Sequence, residues 1–180
     1  MSKKLLYEGL KADLQTVSAT KANGDTMTFA MVALWRNNLQ RESEEHPVRF
    51  PACFIEFLPS NYKDLSKAVQ QYDLTVRLHI CFESYKDEDT DILELVEETF
   101  ATIHKKQYEY FGNLLRRSED QNFDHPNVQD YIQDYITLGK DYRADDRAKT
   151  PVLANPVVTA TTIPIAGIGN FTVGQTFILN

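Results

Sequence analysis

The chain has 180 residues, of which 42% are apolar and 25% charged, the balance of a soluble globular domain with its own core. Its net charge of −7 disfavours nucleic-acid binding, because phosphate recognition depends on clustered lysine and arginine. The sequence shows neither the roughly 18 consecutive apolar residues of a membrane span nor an N-terminal secretory signal. Its cysteines, Cys53 and Cys81, form no CxxC motif and are predicted to be free thiols.

The first part of the chain predicts a helix followed by two strands. Across residues 5–19, leucine and valine recur at intervals of four, four and three, which places them on one apolar stripe of a helix. Residues 26–35 are rich in β-branched, aromatic and methionine side chains and are predicted to form a strand. A second strand is predicted over residues 52–58, beginning after Pro51, which has no N–H group to donate.

The clearest predicted element is residues 72–83, in which apolar and polar side chains alternate over a dozen positions. A period of two predicts a long antiparallel strand with one buried face and one polar face. His79 and Cys81 both belong to the polar face.

A charged loop at residues 85–91 precedes a helix predicted over residues 91–115, with acidic residues at its start and basic residues near its end. Residues 118–127 are predicted to form a polar loop. The segment 128–138 repeats Asp-Tyr-Ile at a spacing of four, which suits a helix. Its tyrosine, isoleucine and threonine content favours a strand, and a strand is predicted.

Together these elements predict an α+β fold, with an antiparallel or mixed sheet of about four strands and two helices packed on one face. Residues 1–147 are predicted to form this core domain, which ends in a charged linker. Residues 148–180 are predicted to form an uncharged, extended C-terminal arm, because Lys149 is their only ionisable side chain.

The arm combines short extended segments with exposed apolar residues, and such a segment aggregates if it is left uncovered. It either folds back as extra strands on its own domain or adds to a neighbouring subunit or partner, and the second interpretation is preferred. The predicted interface residues of the arm are Val157, Val158, Ile163, Ile165, Phe171, Val173, Phe177, Ile178 and Leu179.

Eight acidic residues and one lysine lie between residues 83 and 98, which gives this segment a charge equal to that of the whole chain. Asp87, Asp89, Asp91 and Glu98 occupy positions 1, 3, 5 and 12 of a calcium-binding loop. However, position 6 requires glycine and is Ile92. The segment therefore predicts a solvated start of a helix and no metal site.

No catalytic motif is visible. His79 and Cys81 form a conceivable nucleophile pair, but an orienting third group and an oxyanion hole are not visible in the sequence. Gly167 and Gly169 lack the third glycine and the strand-to-helix context of a dinucleotide site. The protein is therefore predicted not to be an enzyme, with no catalytic residue and no cofactor.

The order of elements in residues 5–143 carries a resemblance. A leading amphipathic helix is followed by a strand that begins Pro51-Ala52-Cys53-Phe54-Ile55, the long alternating strand, an acidic loop, a long helix and a closing strand. This layout resembles the tail-terminator and tail-completion proteins of tailed bacteriophages, which join head and tail.

The resemblance implies a virion protein that forms a homo-oligomeric ring at the head-proximal end of a phage tail or neck. The ring, on the order of six or twelve copies, closes by rotation, terminates the tail tube and joins it to the connector. The implied partners are tail-tube and connector or portal-adaptor proteins, with DNA passing through unbound and no membrane involved. The implied location is the virion, after assembly in the cytoplasm of the bacterial host.

In such a ring, the acidic residues Asp87, Glu88, Asp89 and Asp91 are expected to face the lumen or a basic partner, although a merely solvated loop explains them equally well. The alternative function is a small cytoplasmic α+β enzyme or ligand-binding domain. Its candidate residues, His79, Cys81 and His125, are scattered along the sequence.

Overall fold

The computed structural model describes residues 2–39, 47–65, 69–83, 89–122, 127–141, 162–165 and 169–172. Two helices and ten strands lie in these ranges. In chain order they are α1 (Ser2–Leu14), β1 (Ser18–Thr20), β2 (Thr26–Thr28), β3 (Met31–Leu34), β4 (Ala52–Phe57), β5 (Asn61–Asp64), β6 (Gln70–Glu83), α2 (Asp89–Ile103), β7 (Leu115–Asn122), β8 (Val128–Asp141), β9 (Thr162–Ile165) and β10 (Gly169–Thr172).

Six of the strands form one mixed sheet in the order β3-β4-β6-β8-β7, with β5 also paired to β6. Only the β3–β4 pair is parallel among the strand pairs of this sheet. The predicted α+β class is confirmed. The sheet has more strands than the four expected, because two short or polar strands lack the alternation that reveals a strand in a sequence.

The inner face of the sheet, which packs against both helices, carries the main core. The alternation of β6 places its even-numbered apolar residues there, and all of them from Leu74 to Phe82 are buried. Leucines of α1 at intervals of four and apolar residues of α2 cover them. The buried helix residues are Leu6, Leu10, Leu14, Ile92, Leu95, Val96 and Ile103.

The first predicted helix ends earlier than expected, at Leu14. The residues after it form β1, which pairs with β2. The cross-strand pair Ala19 and Met27 is buried in the main core. The strand predicted at residues 26–35 is divided, since β2 pairs with β1 whereas β3 pairs with β4. The first difference arises because β1 and β2 have only three residues each, too few to show an alternating pattern. The second arises because β3 pairs with β4, a strand outside the predicted segment.

The second predicted helix is also shorter than expected, because α2 ends at Ile103. Lys105 and Tyr110 have positive φ angles of 63° and 66°, which interrupt any helix. The chain then reverses, and Leu114 exchanges backbone hydrogen bonds with Lys105 and Lys106. Residues 118–122, predicted as the start of a polar loop over residues 118–127, belong to β7, an edge strand whose pairing with β8 does not require buried side chains.

The strand predicted at residues 128–138 is confirmed and extends to Asp141 as β8. Within the C-terminal arm, β9 and β10 pair with each other in antiparallel register as a separate two-stranded sheet. The predicted division between residues 147 and 148 lies outside the described residues.

Candidate functional site on the outer face of the sheet

The outer face of the sheet, opposite the helices, brings together the odd-numbered residues of β6 and the even-numbered residues of β8. Their register pairs Cys81 with Asp130, Arg77 with Asp134 and Thr75 with Ile136. One end of this face is covered and polar, and the other end is open and partly apolar.

The covered end contains the His79 cluster, which we define as Trp35, Glu56, His79, Cys81 and Asp130. His79 is 5% exposed, and its Nδ1 and Nε2 atoms lie 3.0 Å from Asp130 Oδ2 and 3.3 Å from Glu56 Oε2. Trp35 stacks on the imidazole with ring centroids 4.1 Å apart. The Trp35 backbone N–H donates to the carbonyl of Ile55, so the β3–β4 pairing continues far enough to hold the indole over the histidine.

Cys81 is not poised as a nucleophile. Its thiol donates to Asp130 Oδ1 at 3.7 Å, and burial, followed by the negative charge of Asp130, raises the pKa of the thiol. Burial likewise raises the pKa of Cys53, which lies on the adjacent strand. Because the thiolate is the reactive form, the surroundings of both residues favour the unreactive thiol.

Arg77 and Asp134 form an ion pair next to the His79 cluster. Arg77 donates from Nε to Asp134 Oδ1 at 2.8 Å and from a terminal guanidinium nitrogen to Oδ2 at 3.1 Å, and Ser118 also donates to Oδ2. The hydrogen bonds from Arg77 are the largest cause that lowers the pKa of Asp134, and the same bonds raise the pKa of Arg77. This bidentate ion pair joins directly opposite residues of β6 and β8 and so favours the observed strand register.

The open end of the outer face carries a group of apolar side chains that we call the open patch: Leu115, Ile136 and Leu138. They are 42%, 38% and 53% exposed. Beside them lies a shallow depression of about 600 Å³, also lined by Pro59, Thr75 and Asn113. Asp73 and Arg117 are the only ionisable residues among the described residues that line it. The described lining of the depression is therefore weakly charged and partly apolar.

The predicted acidic surface is only partly within the described residues, because Asp87 and Glu88 lie outside them. Asp89 is exposed and begins α2. Asp91 is 7% exposed, and its Oδ1 accepts a hydrogen bond from the backbone N–H of Ala22 at 2.9 Å. Asp91 therefore joins the first turn of α2 to the β1–β2 turn, a role that its position in an acidic run does not reveal.

The calcium-loop interpretation is incompatible with this geometry, because α2 begins at Asp89 and residues 89–98 of the would-be loop are helical. No group of three or more metal-binding side chains arranged to hold a metal ion occurs in the part of the chain that the structure describes.

Three of the predicted arm residues lie in the described hairpin: Ile163 and Ile165 in β9 and Phe171 in β10. The others lie outside the described residues: Val157, Val158, Val173, Phe177, Ile178 and Leu179. The candidate residue His125 also lies outside them.

The sequence placed His79 and Cys81 on one face but did not identify their partners. Glu56 and Asp130 are 23 and 51 residues away from His79, and only the pairing of β4, β6 and β8 brings them together. The open patch was missed for the same reason, since Ile136 and Leu138 lie on β8, whereas Leu115 begins β7 at a position predicted to end the second helix.

Comparison with known proteins gives a similarity of fold. No family model matches the chain, and no curated protein matches its sequence. Among solved structures, the fold is similar to that of a chain in the virion of a native gene transfer agent particle, with a TM-score of 0.51. The match covers 77% of this chain and 97% of that chain, at 7% sequence identity. At this identity, the similarity concerns the fold.

Of the two helices in the described part of the chain, neither is long and apolar enough to cross a membrane.

Proposed function

We propose that this protein is a structural component of a phage-like virion that forms a ring at the head-proximal end of a tail or neck. The proposal rests chiefly on the fold, because nearly the full length of a chain from the gene transfer agent virion superimposes on this core. The open patch supports it, since apolar side chains on an exposed sheet face are typical of surfaces that another protein covers.

In this role the protein works by shape and surface complementarity and not by a chemical reaction. Each subunit contacts the next through two different surfaces, and the ring closes when the rotation between neighbours divides a full turn, here into about six or twelve copies. One rim of the ring ends the tail tube, and the opposite rim contacts the connector or portal-adaptor protein. The expected location is the virion, after assembly in the host cytoplasm.

The acidic run around the start of α2 is the proposed lumen or partner surface. Asp87, Glu88 and Asp89 supply its charge, whereas Asp91 lies beneath it and supports the helix start. A negative lumen repels DNA phosphates, so that DNA passes through without binding. The nine apolar residues of the arm named above are the proposed contacts with a neighbouring subunit or neck protein.

The test is the assembly state of the purified full-length protein. We expect rings in negative-stain electron micrographs and a multiple of the 20.7 kDa subunit mass in size-exclusion chromatography with light scattering, either alone or after addition of the tail-tube protein. A protein that stays monomeric under both conditions at high micromolar concentration contradicts the proposal. A monomer that also binds a metabolite supports the alternative of a small ligand-binding domain.

A further inference from the structure

The open patch is exposed, and the C-terminal hairpin is not part of the six-stranded sheet among the described strands. Leu115, Ile136 and Leu138 are exposed on the outer face of the sheet. The hairpin β9–β10 forms a two-stranded sheet by itself. An isolated hairpin of two strands is marginally stable in water and requires a surface to pack against.

We propose that the open patch of one subunit receives the C-terminal hairpin of the neighbouring subunit. This inference rests on the proposed ring and names the acceptor surface within it.

Charge favours this pairing. Residues 150–180 contain no ionisable side chain and therefore form no ion pairs with an acceptor surface. A strongly charged acceptor would lose the hydration of its charges without compensation, so a weakly charged surface is favoured. The depression beside the open patch has only Asp73 and Arg117 as ionisable lining residues, and their charges are opposite. By contrast, the neighbouring edge strand β7 exposes Arg116, Arg117, Glu119 and Asp120, which makes its free edge a poor site for strand addition.

The length of the connection permits an exchange between subunits. Twenty residues separate Asp141, the end of β8, from Thr162, the start of β9. Fully extended, they span about 65–70 Å. A folded core of this size has a radius of gyration of about 14 Å. The connection is therefore long enough to place the hairpin beyond its own core.

The exposure of the patch favours the neighbour over the same chain. β8 carries both Ile136 and Leu138 and ends three residues after Leu138, so the end of β8 lies near the open patch. Even so, the three patch residues remain between 38% and 53% exposed in the single chain, in which the hairpin is already formed. In a closed ring, every subunit offers its patch to the arm of the next subunit, so that each patch and each arm has a partner.

Cysteine cross-linking between two different single variants tests the proposal. The native Cys53 and Cys81 are both fully buried, which keeps the background low. Full-length Leu138→Cys and Phe171→Cys proteins are mixed, oxidised with copper phenanthroline and separated by non-reducing electrophoresis. We expect more disulfide-linked dimer in the mixture than in either variant oxidised alone, because only the mixture brings together both members of the pair.

The matched control replaces Leu138→Cys by Leu93→Cys, which has a similar exposure of 48% but lies on α2, on the other side of the sheet. Its mixture with Phe171→Cys should give no dimer above background. A dimer of equal yield with Leu93→Cys overturns the proposal. So does a Leu138→Cys/Phe171→Cys double variant that forms only an intrachain disulfide, because its hairpin then covers its own patch.

Failure of this inference can be distinguished from failure of the proposed function. Rings that assemble normally without the cross-link contradict the hairpin contact and leave the ring in place, whereas the absence of both rings and cross-link contradicts both proposals. As a second measurement, Leu138→Asp should weaken subunit association by about tenfold or more, since it places a carboxylate without a partner under the hairpin. Unchanged association contradicts the contact, and circular dichroism verifies that this exposed substitution leaves the fold intact.

Discussion

At the scale of single residues, the outer face depends on polar side chains that join strands distant in sequence. Arg77 and Asp134 are 57 residues apart and make two parallel hydrogen bonds across β6 and β8. Each is partly exposed, so solvent screens their attraction, and the contribution of the pair to stability is modest. The pair nevertheless makes the stability of the fold depend on pH in the acid range, because the hydrogen bonds from Arg77 lower the pKa of Asp134.

Replacing the carboxylate should therefore change how stability responds to acid. The pKa of Asp134 in the folded state is below the unfolded value of about 3.9, so the stabilisation is complete above that value and is lost as pH falls through the folded pKa. We expect Asp134→Asn to be less stable than wild type at pH 7 and to lose less stability between pH 5 and 2. Urea unfolding at a series of pH values measures this difference.

Asp73→Asn is the matched control, because it removes an exposed carboxylate from the same face. Parallel stability–pH curves for wild type and Asp134→Asn would contradict the prediction.

The alternation of apolar and polar residues in β6 was sufficient to predict that His79 and Cys81 share one face of the strand, opposite the face that packs in the main core. It did not show that His79 lies between Glu56 and Asp130 or under Trp35, because those contacts depend on the order and register of strands. For Asp91 the sequence predicted a solvated side chain, whereas the structure shows it hydrogen-bonded to the backbone of Ala22, 69 residues earlier in the chain.

At the scale of elements, β8 is packed against its neighbours closely enough to require a glycine. Gly139 lies opposite Tyr72 of β6, and Phe111 also contacts this position. A Cβ atom at Gly139 would lie 2.5 Å from Tyr72 Cζ and 2.9 Å from Phe111 Cε1, closer than van der Waals contact allows. Both aromatic rings are buried and have little room to move.

Gly139→Ala should accordingly lower the free energy of unfolding by about 1–3 kcal/mol, the usual effect of overpacking a core. Gly112→Ala is the control, since the nearest atom to its Cβ would be 3.8 Å away, an ordinary contact. We expect the control to change stability by about 0.5 kcal/mol or less. Urea denaturation followed by circular dichroism compares the two variants, and equal effects would contradict the packing argument.

The elements that the sequence predicted correctly are those with strong periodicity or composition. β6 alternates throughout, and β8 combines β-branched and aromatic residues with a glycine near its end. The elements it missed are β1, β5 and β7, whose side chains are mostly exposed and polar. The overextended second helix has a similar cause, since only the positive φ angles at Lys105 and Tyr110 and the long-range pairing of β7 end the helical region.

At the scale of the whole molecule, the two helices and the six-stranded sheet share one main hydrophobic cluster among the residues whose burial the structure describes. Composition changes at residue 148, where the charged linker ends and a segment with Lys149 as its only ionisable side chain begins. The fold class was predictable from these features, whereas the quaternary role was not, since nothing in one chain specifies its neighbours.

Removing residues 148–180 should leave a folded core and reduce assembly. We expect the truncated protein to unfold cooperatively within a few degrees of the full-length chain and to migrate as a smaller species in size-exclusion chromatography. The reason is that, in our proposal, the arm contributes to contacts between subunits. A truncated chain that fails to fold would show instead that the arm is part of its own domain, and differential scanning calorimetry makes this distinction.

The pairing of β6 with β8 has a consequence for biosynthesis. The two strands match over 14 residues each, from Gln70 with Asp141 to Glu83 with Val128, so the centre of the sheet cannot be completed until Asp141 has left the ribosome. Residues 150–180, which carry no ionisable side chain, emerge after that point, when the nascent chain can already have formed the surface that, in our proposal, receives the arm of another copy. Each copy can therefore offer a folded acceptor before its own aggregation-prone arm is released.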